Sequence, residues 1–196
     1  MFSWTFASAA RDARILVVAA TQVEAAHVPG DLPLLVTGIG KTPAAALTAA
    51  ALATHPAPET VTVFNIGTAG ALRPGLHGLH EPTVVVNHDM DGDAVRALGY
   101  DPEERLHLAP AGDGGDLVLA TGDLFVTDPE RRDQLALGAH LVDMEGYSVA
   151  WAARQFGARV RLAKHVSDKA DASALDWNAV VDRSARALGE WLADQV

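Results

Sequence analysis

The fold is decided by residues 15–20, which read ILVVAA. This is a short, unbroken apolar run rich in β-branched residues, and such a run is typical of a strand that is buried on both faces of a parallel sheet. Polar residues follow it at once, with Thr21 and Glu24 at the spacing of a capping box. The stretch therefore predicts the first central strand of an α/β domain.

Further strands and helices alternate along the rest of the chain. Apolar runs predict additional strands at residues 32–37, 61–64, 82–87, 117–120 and 160–166. The alternation predicts a single α/β domain over the whole chain. Its central sheet is expected to be twisted, mostly parallel but mixed, and flanked by helices, with residues 1–13 as an N-terminal extension.

Helix signals lie between several of these strands. Thr42 followed by Pro43 predicts an N-cap and a first helical residue, and Asp128-Pro129 repeats this signal. A third helix with an apolar face is expected to end at Gly157, and a last helix to run from about residue 176 to the C-terminus.

The composition excludes several classes of function. The formal net charge of −10 and the lack of a basic cluster disfavour nucleic acid and anionic membranes as partners. The absence of cysteine excludes disulfides and a thiolate nucleophile, and the eight histidines show no paired metal-ligand spacing, so we expect neither metal nor cofactor. No apolar run approaches the roughly 20 residues of a membrane helix, and no leader is apparent, so we expect a soluble, cytoplasmic protein.

The segments that follow the predicted strands are the first place to look for chemistry, because ligands bind at the carboxyl ends of the strands in open α/β sheets. These segments are residues 21–24, 38–41, 65–70, 121–125 and 167–168. The glycines at 38 and 40 suggest a dinucleotide fingerprint, but proline occupies the place of its third glycine, and the spacing of the following lysine excludes a Walker loop.

Taken together, these segments resemble the family of 5′-methylthioadenosine/S-adenosylhomocysteine nucleosidases and related nucleoside phosphorylases. The resemblance runs, with gaps, from residue 15 to the C-terminal helix, and its six pieces occur in the family's order. They are GIGK at 38–41, NIGTAG at 65–70, HDMD at 88–91, TGDLFV at 121–126, VDMEG at 142–146 and VSDKAD at 166–171.

The resemblance implies roles that fit the cleavage of an N-glycosidic bond. That reaction develops positive charge on the ribose and negative charge on the purine, so it needs an acid at the base and anionic groups near the sugar. By resemblance, Asp168 delivers a proton to purine N7 and Ser167 orients its carboxyl group. Glu24 is the general base that activates water, and Glu145 accepts hydrogen bonds from the ribose hydroxyls.

The remaining implied site residues surround the nucleoside. Met144 packs against the ribose, Phe125 stacks on the purine, and the backbone of Val126 reads the purine edge. Three residues line the sugar and base pocket through a close approach of their backbone, namely Thr68, Ala69 and Gly70. Two further residues, Ile39 and Trp177, wall the 5′ side.

Simpler interpretations stand beside four of these roles. Ser167 and Asp168 could cap a helix, and Glu145 could be an acid of a first helical turn. The Glu24 carboxyl group could serve only its capping box. Phe125 could be an ordinary core residue.

Several functions fit the resemblance. We expect hydrolysis of an adenine nucleoside such as methylthioadenosine or adenosylhomocysteine, which also implies methionine salvage and a homodimer. A phosphorylase would need arginines for phosphate, and the segments 21–24 and 65–70 contain none. A futalosine-type hydrolase is the other enzymatic alternative, because the segments 25–31 and 100–117 are shorter than usual for the family. A nucleoside-binding protein without turnover is the fourth possible function.

The sequence also departs from the family at Lys164, which stands where the family commonly has arginine.

Overall fold

The computed structural model describes residues 13–108 and 116–196. The expected extension at 1–13 lies, apart from its last residue, outside the described residues. In the described part, nine strands form one sheet flanked by five helices. The strands are β1 (Ile15–Ala19), β2 (Leu34–Val36), β3 (Thr62–Ala71), β4 (Leu79–His80), β5 (Val84–Asn87), β6 (Arg105–His107), β7 (Val118–Thr121), β8 (Leu141–Asp143) and β9 (Arg159–Asp168). The helices are α1 (Lys41–Ala53), α2 (Gly92–Ala97), α3 (Pro129–Ala136), α4 (Gly146–Gln155) and α5 (Trp177–Ala193).

The sheet is mixed and mostly parallel, which confirms the expected fold class. The strand order is β2-β1-β3-β8-β7-β5-β6, with β9 paired to β3 and to β4. Among the described strands, five pairings are parallel and three are antiparallel. The antiparallel pairs involve the short strands β4, β6 and β8, none of which the sequence predicted.

Helices cover both faces of β1, as its apolar run predicts. Val18 belongs to a core cluster with Leu52 of α1 and Val149 of α4. Its neighbour Val17 belongs to a second cluster, with Leu188 of α5. Because successive side chains of a strand point to opposite faces, the two clusters lie on the two sides of the sheet. The sheet is therefore buried between α1 and α4 on one side and α5 on the other.

Among the described strands, one edge of β3 is paired over only part of its length. Residues 62–65 of β3 pair with β1, whereas Gly70 and Ala71 pair with β8 on the same edge. Along its other edge, β3 pairs with β9 from Thr62 to Gly70. In the part of the chain that the structure describes, no strand pairs with residues 66–69 on the first edge. We call this stretch the open edge of β3.

Two predicted boundaries differ from the structure, and one predicted cap is confirmed. The segment 65–70 was expected to follow a strand, but it lies within β3, because its glycines accommodate close neighbours rather than a turn. Helix α1 begins at Lys41 rather than near Pro43, and Gly40, with a φ of 101°, is its N-cap instead of Thr42. The predicted α3 cap is confirmed, since the Asp128 side chain accepts a hydrogen bond from the amide of Glu130.

None of the helices in residues 13–108 and 116–196 combines the length and the apolar composition that crossing a bilayer requires.

Candidate active site

A cavity of about 440 Å³ lies at the carboxyl ends of the central strands, beside the open edge of β3. All twelve residues named from the sequence line it, and the structure thus brings together segments that are far apart in the chain. They are Glu24, Ile39, Thr68, Ala69, Gly70, Phe125, Val126, Met144, Glu145, Ser167, Asp168 and Trp177. The wall also includes Asp143, Leu124 and Leu175, which sequence reasoning missed.

The carboxyl group of Glu24 joins the turn after β1 to the open edge of β3. One carboxyl oxygen accepts hydrogen bonds from the amide of Thr21 at 3.2 Å and from its hydroxyl at 2.9 Å. The other accepts from the amide and the hydroxyl of Thr68, both at 2.9 Å. The capping-box contacts therefore form, although only an irregular turn follows them. Because Glu24 also reaches β3 in the cavity wall, its capping contacts are not its only ones.

Trp177 completes this side of the cavity. Its indole N–H donates to the hydroxyl of Thr68 at 2.9 Å, so the start of α5 is tied to the open edge of β3. Since Thr68 donates to Glu24 at the same time, the three residues form one chain of hydrogen bonds.

Glu145 is buried at the start of α4, and one of its carboxyl oxygens accepts a hydrogen bond from the amide of Gly40 at 2.8 Å. It is the N-cap residue and makes no side-chain bond to its own helix, so its interpretation as a first-turn acid is wrong. Burial and the nearby Asp143 carboxylate raise the pKa of Glu145 to about 7, against the opposing effect of Lys164. The group therefore changes charge near neutral pH.

Sequence reasoning missed a buried ion pair beneath Glu145. The Lys164 ammonium lies 2.9 Å from the Asp143 carboxylate, and each side chain is only 1% exposed. Burial alone would lower the pKa of Lys164, but Asp143 and Glu145 outweigh it and the pKa is raised. The one signal was a lysine inside the apolar run at 160–166, a position that a cation occupies only when it is paired.

Asp143 also organises the surrounding backbone. Its carboxylate accepts from the amide of Gly146 at 2.8 Å and from the hydroxyl of Thr121 at 2.5 Å. It thereby holds the first residue of α4 and the last residue of β7, as well as Lys164. The floor of the cavity is consequently a fixed network of charged groups.

Asp168 ends β9 on the other edge of β3. Its carboxylate accepts from the hydroxyl of Ser167 at 2.7 Å and from the amide of Ala170 at 2.8 Å. A Cβ atom at Gly70 would lie 2.9 Å from this carboxylate, so β3 approaches Asp168 as closely as only glycine permits. Ser167 and Asp168 belong to a strand, and the helix-cap interpretation of the pair is wrong.

The mouth of the cavity is apolar and open to solvent. Phe125 is 48% exposed and Ile39 is 60% exposed, and Leu124 and Leu175 are also exposed beside them. Phe125 is therefore not a core residue. Met144 lines the cavity next to Glu145, whereas Val126 is buried.

The charge pattern of the cavity limits its ligands. Three carboxyl groups, those of Glu24, Asp143 and Glu145, surround the single ammonium group of Lys164. No arginine is among the described residues that line the cavity, and no cluster of three acidic or histidine side chains in the described ranges is arranged to hold a metal ion. The arrangement suits a neutral or cationic ligand with hydroxyl groups better than an anion.

Comparisons with known proteins agree with this geometry. The model of the phosphorylase superfamily matches residues 116–194. The chain is 30% identical over 151 residues to the aminodeoxyfutalosine nucleosidase of Helicobacter pylori strain J99, an alignment that covers 66% of each chain. It is equally similar to the enzyme of that name from strain 26695. The chain thus spans about two thirds of the length of these curated relatives.

Solved structures show the same fold. A variant of the H. pylori methylthioadenosine nucleosidase, with 5′-methylthioadenosine in its active site, superposes with a TM-score of 0.78 at 22% identity, covering 93% of this chain and 99% of the other. The S-adenosylhomocysteine nucleosidase of Streptococcus pyogenes gives a TM-score of 0.75 at 22% identity, covering 91% and 93%. By its sequence match and its fold, the chain belongs to the nucleosidase family of the phosphorylase superfamily.

Proposed function

We propose that the protein hydrolyses the N-glycosidic bond of an adenine nucleoside, such as 5′-methylthioadenosine or S-adenosylhomocysteine, and releases the free base. One observation carries the proposal: Glu24, Glu145 and Asp168 line a single cavity that has no arginine among its described lining residues. The transition state of this reaction places positive charge on the ribose and negative charge on the purine. A cavity with several carboxyl groups and no arginine among its described lining residues is complementary to the positive charge on the ribose.

Asp168 and Ser167 act on the purine. The Asp168 carboxyl group delivers a proton to N7 as the bond breaks, and the Ser167 hydroxyl, 2.7 Å away, holds that carboxyl group in place. Phe125 stacks on the purine and the backbone of Val126 reads its edge. The close approach of Gly70 to Asp168 brings the base pocket next to the acid.

Glu145 and Glu24 act on the sugar side. Glu145 accepts hydrogen bonds from the ribose hydroxyls, with Met144 packed against the ring. Glu24 takes a proton from the attacking water, for which it must lie within roughly 2.6–3.2 Å of that water. Thr68 fixes the Glu24 carboxyl group from the open edge of β3, and Ala69 continues the wall. Ile39 and Trp177 wall the 5′ side.

Water rather than phosphate is the acceptor in this proposal. A phosphorylase must neutralise a dianion, usually with arginine or clustered backbone donors. Here the amide of Thr68 already donates to the Glu24 carboxyl group, which would repel phosphate. A binding protein without turnover has no need of both an acid and a base, so the pairing of Asp168 with Glu24 favours an enzyme.

Product analysis with and without phosphate tests the proposal. We expect purified protein to release adenine and a free 5′-substituted ribose at a rate that added phosphate does not change. Glu24→Gln should abolish turnover, whereas Glu130→Gln, at an exposed position on α3, should not. A requirement for phosphate, with formation of a ribose 1-phosphate, would show that the protein is a phosphorylase. Full activity of Glu24→Gln would exclude Glu24 as the base.

A futalosine-type nucleoside is the second candidate substrate. The relatives that share 30% identity with the chain are named aminodeoxyfutalosine nucleosidases. The exposed apolar mouth around Ile39 and Leu175 offers room for a bulky 5′ group. The ratio of kcat/KM for aminodeoxyfutalosine to that for methylthioadenosine decides between the two substrates.

The proposal also includes a homodimer. Ile39, Leu124, Phe125 and Leu175 form an exposed apolar surface at the mouth, which a second copy would cover. A cytoplasmic location and a part in methionine salvage accompany the proposed substrates as expectations.

A further inference from the structure

Carboxylates from three separate segments of the chain meet at the N-terminus of α1, and the proposed function gives a role to only one of them, Glu145. Helix α1 has no side-chain cap of its own. The amide of Gly40 donates to Glu145, and the next amide, that of Lys41, donates to Asp123 at 2.7 Å. Two carboxylates from distant parts of the chain therefore cap this helix. Both come from segments that line the cavity.

A third carboxylate closes a ring around Asp123. The ammonium group of Lys41 binds the carboxylate of Asp89 and donates to Asn87 at 2.9 Å. The other carboxyl oxygen of Asp89 accepts from the amide of Asp123 at 2.8 Å. We call Lys41, Asp89 and Asp123 the clasp. It fixes Asp123 at both its amide and its carboxylate.

The surroundings of the clasp show that it is a built feature. Gly40 has a φ of 101°, and a Cβ atom there would lie 3.0 Å from the Asp123 carboxylate, so the close approach requires glycine. The side chains of Lys41 and Asp89 are only 20% and 27% exposed. Burial alone would raise the pKa of Asp89, but Lys41 and the amide of Asp123 outweigh it and the pKa is lowered. The lowered pKa favours the charged form of Asp89, which is the form that the Lys41 ammonium group binds.

One clasp residue, Asp123, lies just before the two residues that we propose contact the purine. Asp123 precedes Phe125 by two residues and Val126 by three, and both of these line the cavity. None of the three clasp residues does. We propose that Lys41, Asp89 and Asp123 are positioning residues that hold the 122–126 loop in place and so set the affinity for the purine base. This inference rests on the proposed function for the roles of Phe125 and Val126.

Loop exchange and base binding test the inference separately. In Lys41→Met, we expect amide hydrogen exchange across 122–126 to be at least several-fold faster than in the wild type. We expect adenine to bind about tenfold more weakly by calorimetry and KM for the nucleoside to rise by about the same factor, while kcat falls less. Lys41→Arg should restore all three measurements, because it keeps the charge that Asp89 binds.

The control and the contrary outcomes keep the test decisive. Arg96→Met removes another cation paired with carboxylates, Asp93 and Glu104, away from the cavity, and should leave exchange and adenine affinity unchanged. Asp89→Asn has nearly the size of the native residue and serves as the second clasp variant. Normal loop exchange and adenine affinity in both clasp variants would overturn the inference. A wild type that cleaves no nucleoside would instead contradict the proposed function, and loop exchange would still decide the clasp.

Discussion

Glu145 has a buried carboxyl group whose pKa is raised to about 7. Burial and Asp143 favour its protonated form, whereas Lys164 and the amide of Gly40 favour the carboxylate, and the balance lies at about 7. The carboxylate prevails above this pH and the acid below it. Only the carboxylate carries the negative charge that opposes the positive ribose of the transition state.

The pH dependence of catalysis should therefore report this residue. We expect kcat/KM of the wild type to rise between pH 6 and pH 8 through an apparent pKa of about 7. Glu145→Gln should lower the activity and remove this limb from the profile. Glu130→Gln serves as the exposed control. A limb that persists unchanged in Glu145→Gln would assign the titration to another group of the coupled network.

The same pKa makes a separate prediction for stability. Glu145 binds its proton more tightly in the folded protein than its ordinary pKa of 4.5 implies. Its contribution to the free energy of unfolding is thus fully present below about pH 4.5 and is lost as the pH rises through about 7. We expect the difference in melting temperature, Glu145→Gln minus wild type, to be larger at pH 8 than at pH 5. A constant difference would contradict the shifted pKa.

Asp168→Asn tests the proposed transfer of a proton from Asp168 to the purine base. The amide keeps the shape of the carboxyl group but cannot serve as an acid, so we expect turnover to fall by about 10²- to 10⁴-fold. Binding of an uncleavable nucleoside analogue should survive, as calorimetry can measure. Near-normal turnover would remove Asp168 from the mechanism.

At the level of elements, the sequence predicted the strands that lie in apolar runs and missed three short strands, β4, β6 and β8. Residues 15–20 and 160–166 have runs long enough to indicate burial, whereas β4, β6 and β8 span two or three residues each and have no readable period. The segment 65–70 was expected to lie outside a strand because glycines resemble turns in a sequence. In the fold, they admit Asp168 and its neighbours.

The site shows the same division. The twelve lining residues could be named from the sequence because they lie in motifs that resemble those of the nucleosidase family. The pair of Asp143 and Lys164 was not, because it depends on β8 and β9 meeting near β3, and β8 was not predicted. The cap of α1 by Glu145 and Asp123 was also hidden, because the donor and the acceptor lie 105 residues apart in one hydrogen bond and 82 in the other.

Lys164→Met tests how β8, β9 and α4 are held together. Removing the ammonium group leaves the buried Asp143 carboxyl group without its cation, so we expect a loss of about 3–5 kcal/mol in the free energy of unfolding, measured by urea denaturation. The double variant Lys164→Met/Asp143→Asn should recover part of that loss. Arg186→Met, which breaks an exposed ion pair, should leave the urea midpoint unchanged. A midpoint of Lys164→Met equal to that of the wild type would mean that the pair contributes nothing to stability.

At the scale of the whole molecule, the exposed apolar residues at the mouth of the cavity lead to a prediction about assembly, namely that a dimer buries them. We expect the wild type to sediment as a dimer. Leu175→Lys, at the rim of the mouth, should shift it toward monomer, because burying the new charge is costly. Leu137→Lys, at an 88% exposed position on the end of α3, should not. A fully active wild-type monomer would contradict the prediction.

The residues held at the open edge of β3 and the loops around the mouth of the cavity can change at different rates in evolution. Glu24 is hydrogen-bonded to Thr68 of β3, and Asp168 is paired with Gly70 of β3, so their relative placement is set by the sheet rather than by the loops around the mouth. Those loops carry exposed apolar residues that we propose face the 5′ group, and surface loops tolerate insertions and deletions. Descendants of such a chain can lengthen or shorten the mouth and acquire new substrates, while they inherit the bond-breaking chemistry unchanged.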